Sequence, residues 1–216
     1  MGLFTTVSIL SSDFSTIGAT LREAAESGAS MIHWDVMDGH FVPNLTFGSK
    51  LIDDYRRYSD LPFDTHLMIS APGDYLDFFL KSSDWLTFHL EAADSPGILI
   101  SRIRTAGKKA GLSIKPQTPL SLLAPYLKDL DSVLMMGVEP GFGGQTIDPG
   151  IYDRLKTLSR MRCDAGASFR IVVDGGVHSE NALPLYRAGA DGVVLGSSFV
   201  KASDKRKLIE AVSSVQ

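Results

Sequence analysis

The chain has 216 residues, 44% of them hydrophobic, and a net charge of −4. That is enough apolar material for one buried core, no Pro/Gly/Ser-rich linker divides it, and residues 1–216 are expected to form a single domain. A mildly acidic chain offers no basic stripe, which excludes nucleic acid and anionic membrane surfaces as partners held by long-range charge. No apolar run approaches the roughly 20 residues needed to cross a bilayer. The N-terminus shows no charged segment leading into an apolar one, and the single cysteine, Cys163, cannot close an internal disulfide. A cytoplasmic protein with a bystander thiol is therefore expected.

Strand-like and helix-like segments alternate from end to end, with about 27 residues per unit, the length of a βα repeat. The first strand is predicted at residues 6–10. Phe14, Ile17, Leu21, Ala24 and Ala25 then form an apolar stripe at helical spacing that stops at Gly28. Further strands are predicted at 31–36, 63–68, 85–90, 110–114, 132–138, 170–174 and 192–195, and Leu208, Ile209 and Val212 mark a last helix. Gly28, Gly107, Gly166 and Gly189 each fall just before a strand, where helices commonly stop. The strands read as continuous apolar runs, as parallel strands covered on both faces do. Eight such units predict a closed (β/α)₈ barrel of the TIM type, with an open doubly wound sheet as the competing arrangement.

In a barrel of this kind the chemistry sits at the C-terminal ends of the strands. Asp35 and Asp174 each end or nearly end an apolar run. Side chains alternate along a strand, so His33, Asp35 and Met37 share one face while Ile32, Trp34 and Val36 take the other. His66 lies on a third strand. Two imidazoles and two carboxylates on strands form a candidate divalent-metal site in which either carboxylate could also carry a proton. Ser8, His89, Glu91 and Lys115 are expected at the same rim, and Met37, Met68 and Met136 would give it an apolar lining. His89 and Glu91 are placed to orient a ligand, whereas Asp38, His40 and His178 are expected in loops. The competing readings are a buried ionic network that only specifies the core, and a hydrolytic metal site.

Three glycine-rich segments follow late strands: Val138-Glu139-Pro140-Gly141-Phe142-Gly143-Gly144-Gln145, Asp174-Gly175-Gly176 and Gly196-Ser197-Ser198. Glycine lets backbone N–H groups approach an anion closely, and barrels often hold phosphate after strands seven and eight. None of the three is a nucleotide-binding motif.

Taken together, the segments Ser8-Ile9-Leu10-Ser11, His33 through Asn44, His66-Leu67-Met68, Phe88-His89-Leu90-Glu91-Ala92, Val138 through Gln145, Val173 through Val177 and Ala188-Gly189-Ala190-Asp191 resemble the ribulose-phosphate 3-epimerase family. The resemblance implies a (β/α)₈ barrel that interconverts D-ribulose 5-phosphate and D-xylulose 5-phosphate in the pentose phosphate pathway. It implies one divalent cation (Zn, Fe, Mn or Co) held by His33, Asp35, His66 and Asp174. Asp35 and Asp174 would be the two acid/base groups, and Ser8 and His66 would touch substrate. Gly141, Phe142, Gly143, Gly144, Gly175, Gly176, Gly196 and Ser197 would surround the phosphate of a phosphorylated ketose, and a homo-oligomer is expected. Two departures stand out: Val7 precedes Ser8 where the family usually has proline, and Leu195 and Ser198 flank Gly196-Ser197 where it more often has a small residue and an alanine. A hexulose-phosphate 3-epimerase, acting for example on D-allulose 6-phosphate, and a catalytically silent sugar-phosphate binder are the alternative functions.

Overall fold

The computed structural model describes residues 2–215, so Met1 and Gln216, the two ends of the expected domain, lie outside the described residues. Eight strands pair in parallel in chain order, and the last closes on the first through Phe4↔Gly192 to Val7↔Leu195. They are β1 Phe4–Ser8, β2 Met31–Met37, β3 Phe63–Met68, β4 Trp85–His89, β5 Lys109–Ile114, β6 Ser132–Met136, β7 Arg170–Asp174 and β8 Gly192–Leu195. Helices α1 Ile17–Glu26, α2 Ser49–Tyr55, α3 Pro72–Leu80, α4 Pro96–Thr105, α5 Ile151–Asp164, α6 Ser179–Ala188, α7 Ser197–Lys201 and α8 Lys205–Ser213 return the chain between strands or close it. The crossover after β5 is a 3₁₀ segment, Leu120–Tyr126, that contains Pro125. Proline lacks the N–H that an α-helix interior needs, and the segment stays short and tight.

The alternation read from the sequence separates an outer core from the barrel interior. Outward-facing Val7, Ile32, Trp34, Phe63, Leu67, Leu86, Phe88, Leu112, Val133, Ile171 and Val193 pack against α-helical residues such as Leu21, Ile52, Leu76, Leu155 and Leu185 in the main cluster. Trp34, fully buried, meets Phe47 edge-on with ring centroids 5.2 Å apart. Inside the barrel a small separate cluster of Leu134, Met136, Val172 and Val194 closes one side. At the mouth Met37, Val42 and Met68 make a third.

The stripe expected for the first helix is only partly helical. Ile17, Leu21 and Ala24 are buried on α1, while Ala25 is exposed and Phe14 sits in the preceding 3₁₀ turn, 42% exposed, with its ring against Phe47. The predicted stop at Gly189 is clear: it takes φ 111° at the end of α6 and caps carbonyls of Leu185 and Tyr186, a left-handed geometry costly for any residue with a Cβ. The first strand lies two residues earlier than expected, because Ser12 N–H folds back on the Ile9 carbonyl and Ser8 Oγ accepts from Leu10 N–H, which turns the chain at Ser8. The sixth ends at Met136, two residues early, where the Gly137 carbonyl accepts from Asp148 N–H in the following loop. Cys163 is exposed near the end of α5. No helix among the described residues is long and apolar enough to cross a membrane.

Candidate active and metal site

Register brings the polar residues together. Ser8 pairs with His33 across β1 and β2, Asp35 with His66 across β2 and β3, and Asp174 ends β7 on the opposite wall. One donor atom from each of His33, Asp35, His66 and Asp174 lies within 4.8 Å of every other. His33 Nε2 is 3.3 Å from Asp35 Oδ1 and 3.8 Å from Asp174 Oδ2, and His66 Nδ1 is 3.6 and 3.7 Å from the same two oxygens. These spacings match the edge of a tetrahedron, about 3.4 Å, whose centre is 2.0–2.2 Å from N and O ligands. His33 Nε2 and His66 Nδ1 are buried with no hydrogen-bond partner among the described residues. Two bare imidazole nitrogens aimed between two carboxylates are a donor set that fits a divalent cation.

The remaining atoms of these side chains are held. His33 Nδ1 lies 2.8 Å from Asp64 Oδ2, His66 Nε2 lies 2.9 Å from His89 Nε2, and His89 Nδ1 lies 3.2 Å from Glu91 Oε2. The Ser8 hydroxyl donates to Asp35 Oδ2 at 2.6 Å. Asp64 was not singled out by the motif reading, although it stands two residues before His66 and so shares its inward face, the signal that could have found it.

Electrostatics separate the two carboxylates. Burial opposes ionisation of Asp35, but the charges and hydrogen bonds of His33 and His66 hold it well below the usual carboxylate range. Burial and then the neighbouring Asp35 charge push Asp174 up to about 6. Burial likewise opposes protonation of His33, yet Asp35 and Asp64 raise it well above the ordinary imidazole value. Burial lowers His89 to about 4, and Glu91, though half-buried, is held at about 2 by His89, Thr118 and the Lys115 N–H. A divalent cation would favour the ionised form of Asp174, against the upward push of burial and Asp35, and would oppose protonation of His33.

Above the cluster opens a cavity of about 240 Å³. Ser8, Asp35 and Asp174 reach its floor, Met37, Met68 and Met136 line it as expected, and the whole predicted anion set, Gly141, Phe142, Gly143, Gly144, Gly175, Gly176, Gly196 and Ser197, walls its far side. Gly176 shows why glycine is needed: its φ is +71° and a Cβ would sit 2.6 Å from the Ile147 backbone nitrogen. Both ligand-candidate imidazoles are fully buried, and neither is among the residues that line the cavity. Lys115 leaves the cluster to place Nζ 4.2 Å from the Phe41 ring centroid. His40 is exposed; Asp38 instead pins the loop after β2, accepting from the N–H groups of His40, Phe41 and Ser70 and from the Ser70 hydroxyl. His178 caps α6 and, with Lys201, lines the cavity, a placement no motif had indicated.

Comparison with known proteins places the chain by fold and by sequence. Among solved structures, 3-hexulose-6-phosphate synthase from Salmonella typhimurium superposes with a TM-score of 0.71 over 99% of this chain and 97% of its own, at 17% identity. A variant tryptophan synthase α-subunit from Pyrococcus furiosus gives 0.70 at 17% identity, covering 98% of this chain and 97% of that one. At such identities these show the barrel alone. In sequence, the chain is 44% identical to ribulose-phosphate 3-epimerase of Treponema pallidum over 89% of this chain and 88% of the relative. It is 41% identical to the Bacillus subtilis enzyme of that name over 95% of each, and 40% identical to the Escherichia coli one over 96% of this chain and 93% of the relative. The model of the ribulose-phosphate 3-epimerase family matches residues 5–200. The chain belongs to the ribulose-phosphate 3-epimerase family.

Proposed function

We infer that this protein inverts carbon 3 of D-ribulose 5-phosphate to give D-xylulose 5-phosphate, with Asp35 and Asp174 as proton carriers. The observation that carries the reading is the pair of carboxylates at one cavity floor, both within 3.8 Å of the same bare imidazole nitrogens. A C–H beside a ketone is a weak acid, and inversion needs a base on one face and an acid on the other. Ionised Asp35 takes the carbon 3 proton as the C–H electron pair moves into an enediolate, and protonated Asp174 delivers its proton to the opposite face. The reverse reaction exchanges the roles, so the pair titrates as one coupled unit. Ser8 holds Asp35 through its 2.6 Å hydrogen bond, and the methionines keep bulk water from the reacting carbon. A cation held by His33, Asp35, His66 and Asp174 would stabilise the negative charge on the enediolate oxygens. The mixed N/O set suits Zn²⁺, Fe²⁺, Mn²⁺ or Co²⁺. The glycine wall, Gly141 to Gly144 with Gly175, Gly176, Gly196 and Ser197, receives the substrate phosphate through backbone N–H groups.

Metal stripping followed by reconstitution tests the proposal. Turnover is expected to vanish on chelation and return with any of the four ions, and in D₂O the xylulose 5-phosphate formed should carry deuterium at carbon 3. Full activity in protein shown to be metal-free by elemental analysis overturns the cation's role, and product without deuterium overturns the proton-transfer role. The same reading carries a cytoplasmic homo-oligomer acting as one barrel domain, which cell fractionation and light scattering check.

A further inference from the structure

His89 is fully buried, lines no part of the cavity and belongs to no donor set, yet both of its ring nitrogens have partners. Nε2 lies 2.9 Å from His66 Nε2, and Nδ1 lies 3.2 Å from Glu91 Oε2. The other oxygen of Glu91 accepts from the Lys115 backbone N–H at 2.8 Å and from the Thr118 hydroxyl. We propose that Glu91 is a positioning residue for cation binding, which acts through His89 to fix the tautomer of His66 and keep its Nδ1 bare. The proposal rests on the reading of His66 as a ligand.

Direction is what the chain of contacts transmits. Two nitrogens 2.9 Å apart hold one hydrogen between them, so one ring must donate and the other accept. The anchor decides which. A backbone N–H can only donate, so it must meet an oxygen of Glu91, and the ionised carboxylate has no hydrogen to return. His89 Nδ1 therefore carries the proton, which leaves His89 Nε2 to accept from His66 Nε2–H. In neutral His66 the remaining nitrogen, Nδ1, is then unprotonated, and it is the buried, unpartnered atom that faces Asp35 and Asp174. The His66 and His89 ring planes differ by only 27° with centroids 4.9 Å apart, and Phe41 packs at a tilt against His89 with centroids 4.6 Å apart, which helps to hold the ring in place. His33 is oriented in one step, since Asp64 engages Nδ1 and leaves Nε2 as the nitrogen that faces the shared centre. Hydrogen-bonded partners that orient a ligand histidine in this way commonly govern metal affinity.

Glu91→Gln tests the proposal with almost no change of volume. The amide has one acceptor, and if that oxygen stays on Lys115 N–H, its NH₂ group faces His89 Nδ1. Each hydrogen bond in the chain then reverses, and the proton lands on His66 Nδ1, where it blocks a cation. Co²⁺ titration against a competing chelator is expected to show affinity lowered about 10–100-fold in Glu91→Gln. Thr118→Val, which removes a donor without changing direction, should bind as the parent does, and thermal melts of each variant report the fold. Long-range ¹H–¹⁵N spectra of the Zn²⁺-loaded parent should place the His89 proton on Nδ1. Parent-like Co²⁺ affinity in Glu91→Gln, or a His89 proton on Nε2, overturns the proposal. His66→Ala separates the levels: parent-like Co²⁺ binding there overturns the ligand reading itself, whereas loss there with none in Glu91→Gln overturns only the tautomer control.

Discussion

The two sides of the barrel mouth recognise by opposite means. On the β2–β4 side the strands turn polar side chains inward, five of them charged or imidazole: His33 and Asp35, Asp64 and His66, and His89 beside the hydroxyl of Thr87, most of them with almost no exposure. On the β6–β8 side the inward residues are Leu134, Met136, Val172 and Val194, and Asp174 is the one acid at their edge. Above that apolar plug the polar work falls to glycine-rich backbone, from Gly141 round to Ser197. The first side fixes charge by side chains whose every nitrogen and oxygen has an assigned partner or faces the shared centre. The second supplies N–H groups that carry no net charge and need no counter-ion. A reaction that moves protons at one end of a small anion and must hold the other end still is served by that division.

The largest effect that can break the contrast comes from the proton carriers. Asp35→Asn and Asp174→Asn should each lower kcat by about 10²–10⁴-fold, since each removes an acid/base group and a charged ligand together. Metal occupancy measured alongside turnover separates the two losses; a variant that keeps its metal and loses under about tenfold is not a proton carrier.

Substrate length sharpens it next. If the glycine wall fixes the phosphate while Asp35 and Asp174 fix the reacting carbon, an extra carbon between them pushes carbon 3 off the line joining the carboxylates. kcat/KM for D-ribulose 5-phosphate should exceed that for D-allulose 6-phosphate by about 10²-fold, the cost of roughly 1 Å of misplacement. Comparable values with one metal-loaded preparation would make the pocket longer than this reading has it, with Ser198, which lines the cavity, the first place to look.

A smaller effect isolates the backbone side. Gly176→Ala puts a Cβ against the Ile147 backbone at a positive φ, a strain of about 1–3 kcal/mol. The melting temperature should fall by roughly 2–4 °C for each kcal/mol, and KM should rise more than kcat falls, because the loop that bears Gly144 is displaced while the carboxylates are not. A change confined to kcat would place Gly176 in the chemistry instead.

The smallest is a pH effect on the loop of the side-chain half. Burial opposes ionisation of Asp38, but N–H groups of Ser70, His40 and Phe41 and the Ser70 hydroxyl hold its carboxyl at about 2. A folded-state value below the ordinary carboxylate value, about 3.9, means its contribution is complete above that value and is lost as pH falls toward 2. Asp38→Asn should melt a few degrees below the parent at pH 7, with a gap that narrows as pH drops from about 4 toward 2. Melting curves across that range check it; a gap independent of pH would mean that the charge of Asp38 contributes nothing.

By itself the sequence determined the eight-unit barrel, the face shared by His33 and Asp35, and the glycine-rich segments, because each depends on local rules: the period of two along a strand, helix stops and the steric freedom of glycine. Strand ends were less legible. The first strand lies two residues earlier than the apolar run suggested because a turn at Ser8, set by hydrogen bonds of Ser8 and Ser12, outweighs the preference of Ile9 and Leu10 for extended chain. What only the tertiary structure decided is which atoms face one another. Asp64 beneath His33, the His66–His89–Glu91 chain and the burial that withdraws both ligand-candidate imidazoles from the cavity follow from barrel closure and inter-strand register. Contacts between residues some twenty to thirty positions apart are set there, beyond the reach of any pattern confined to one strand.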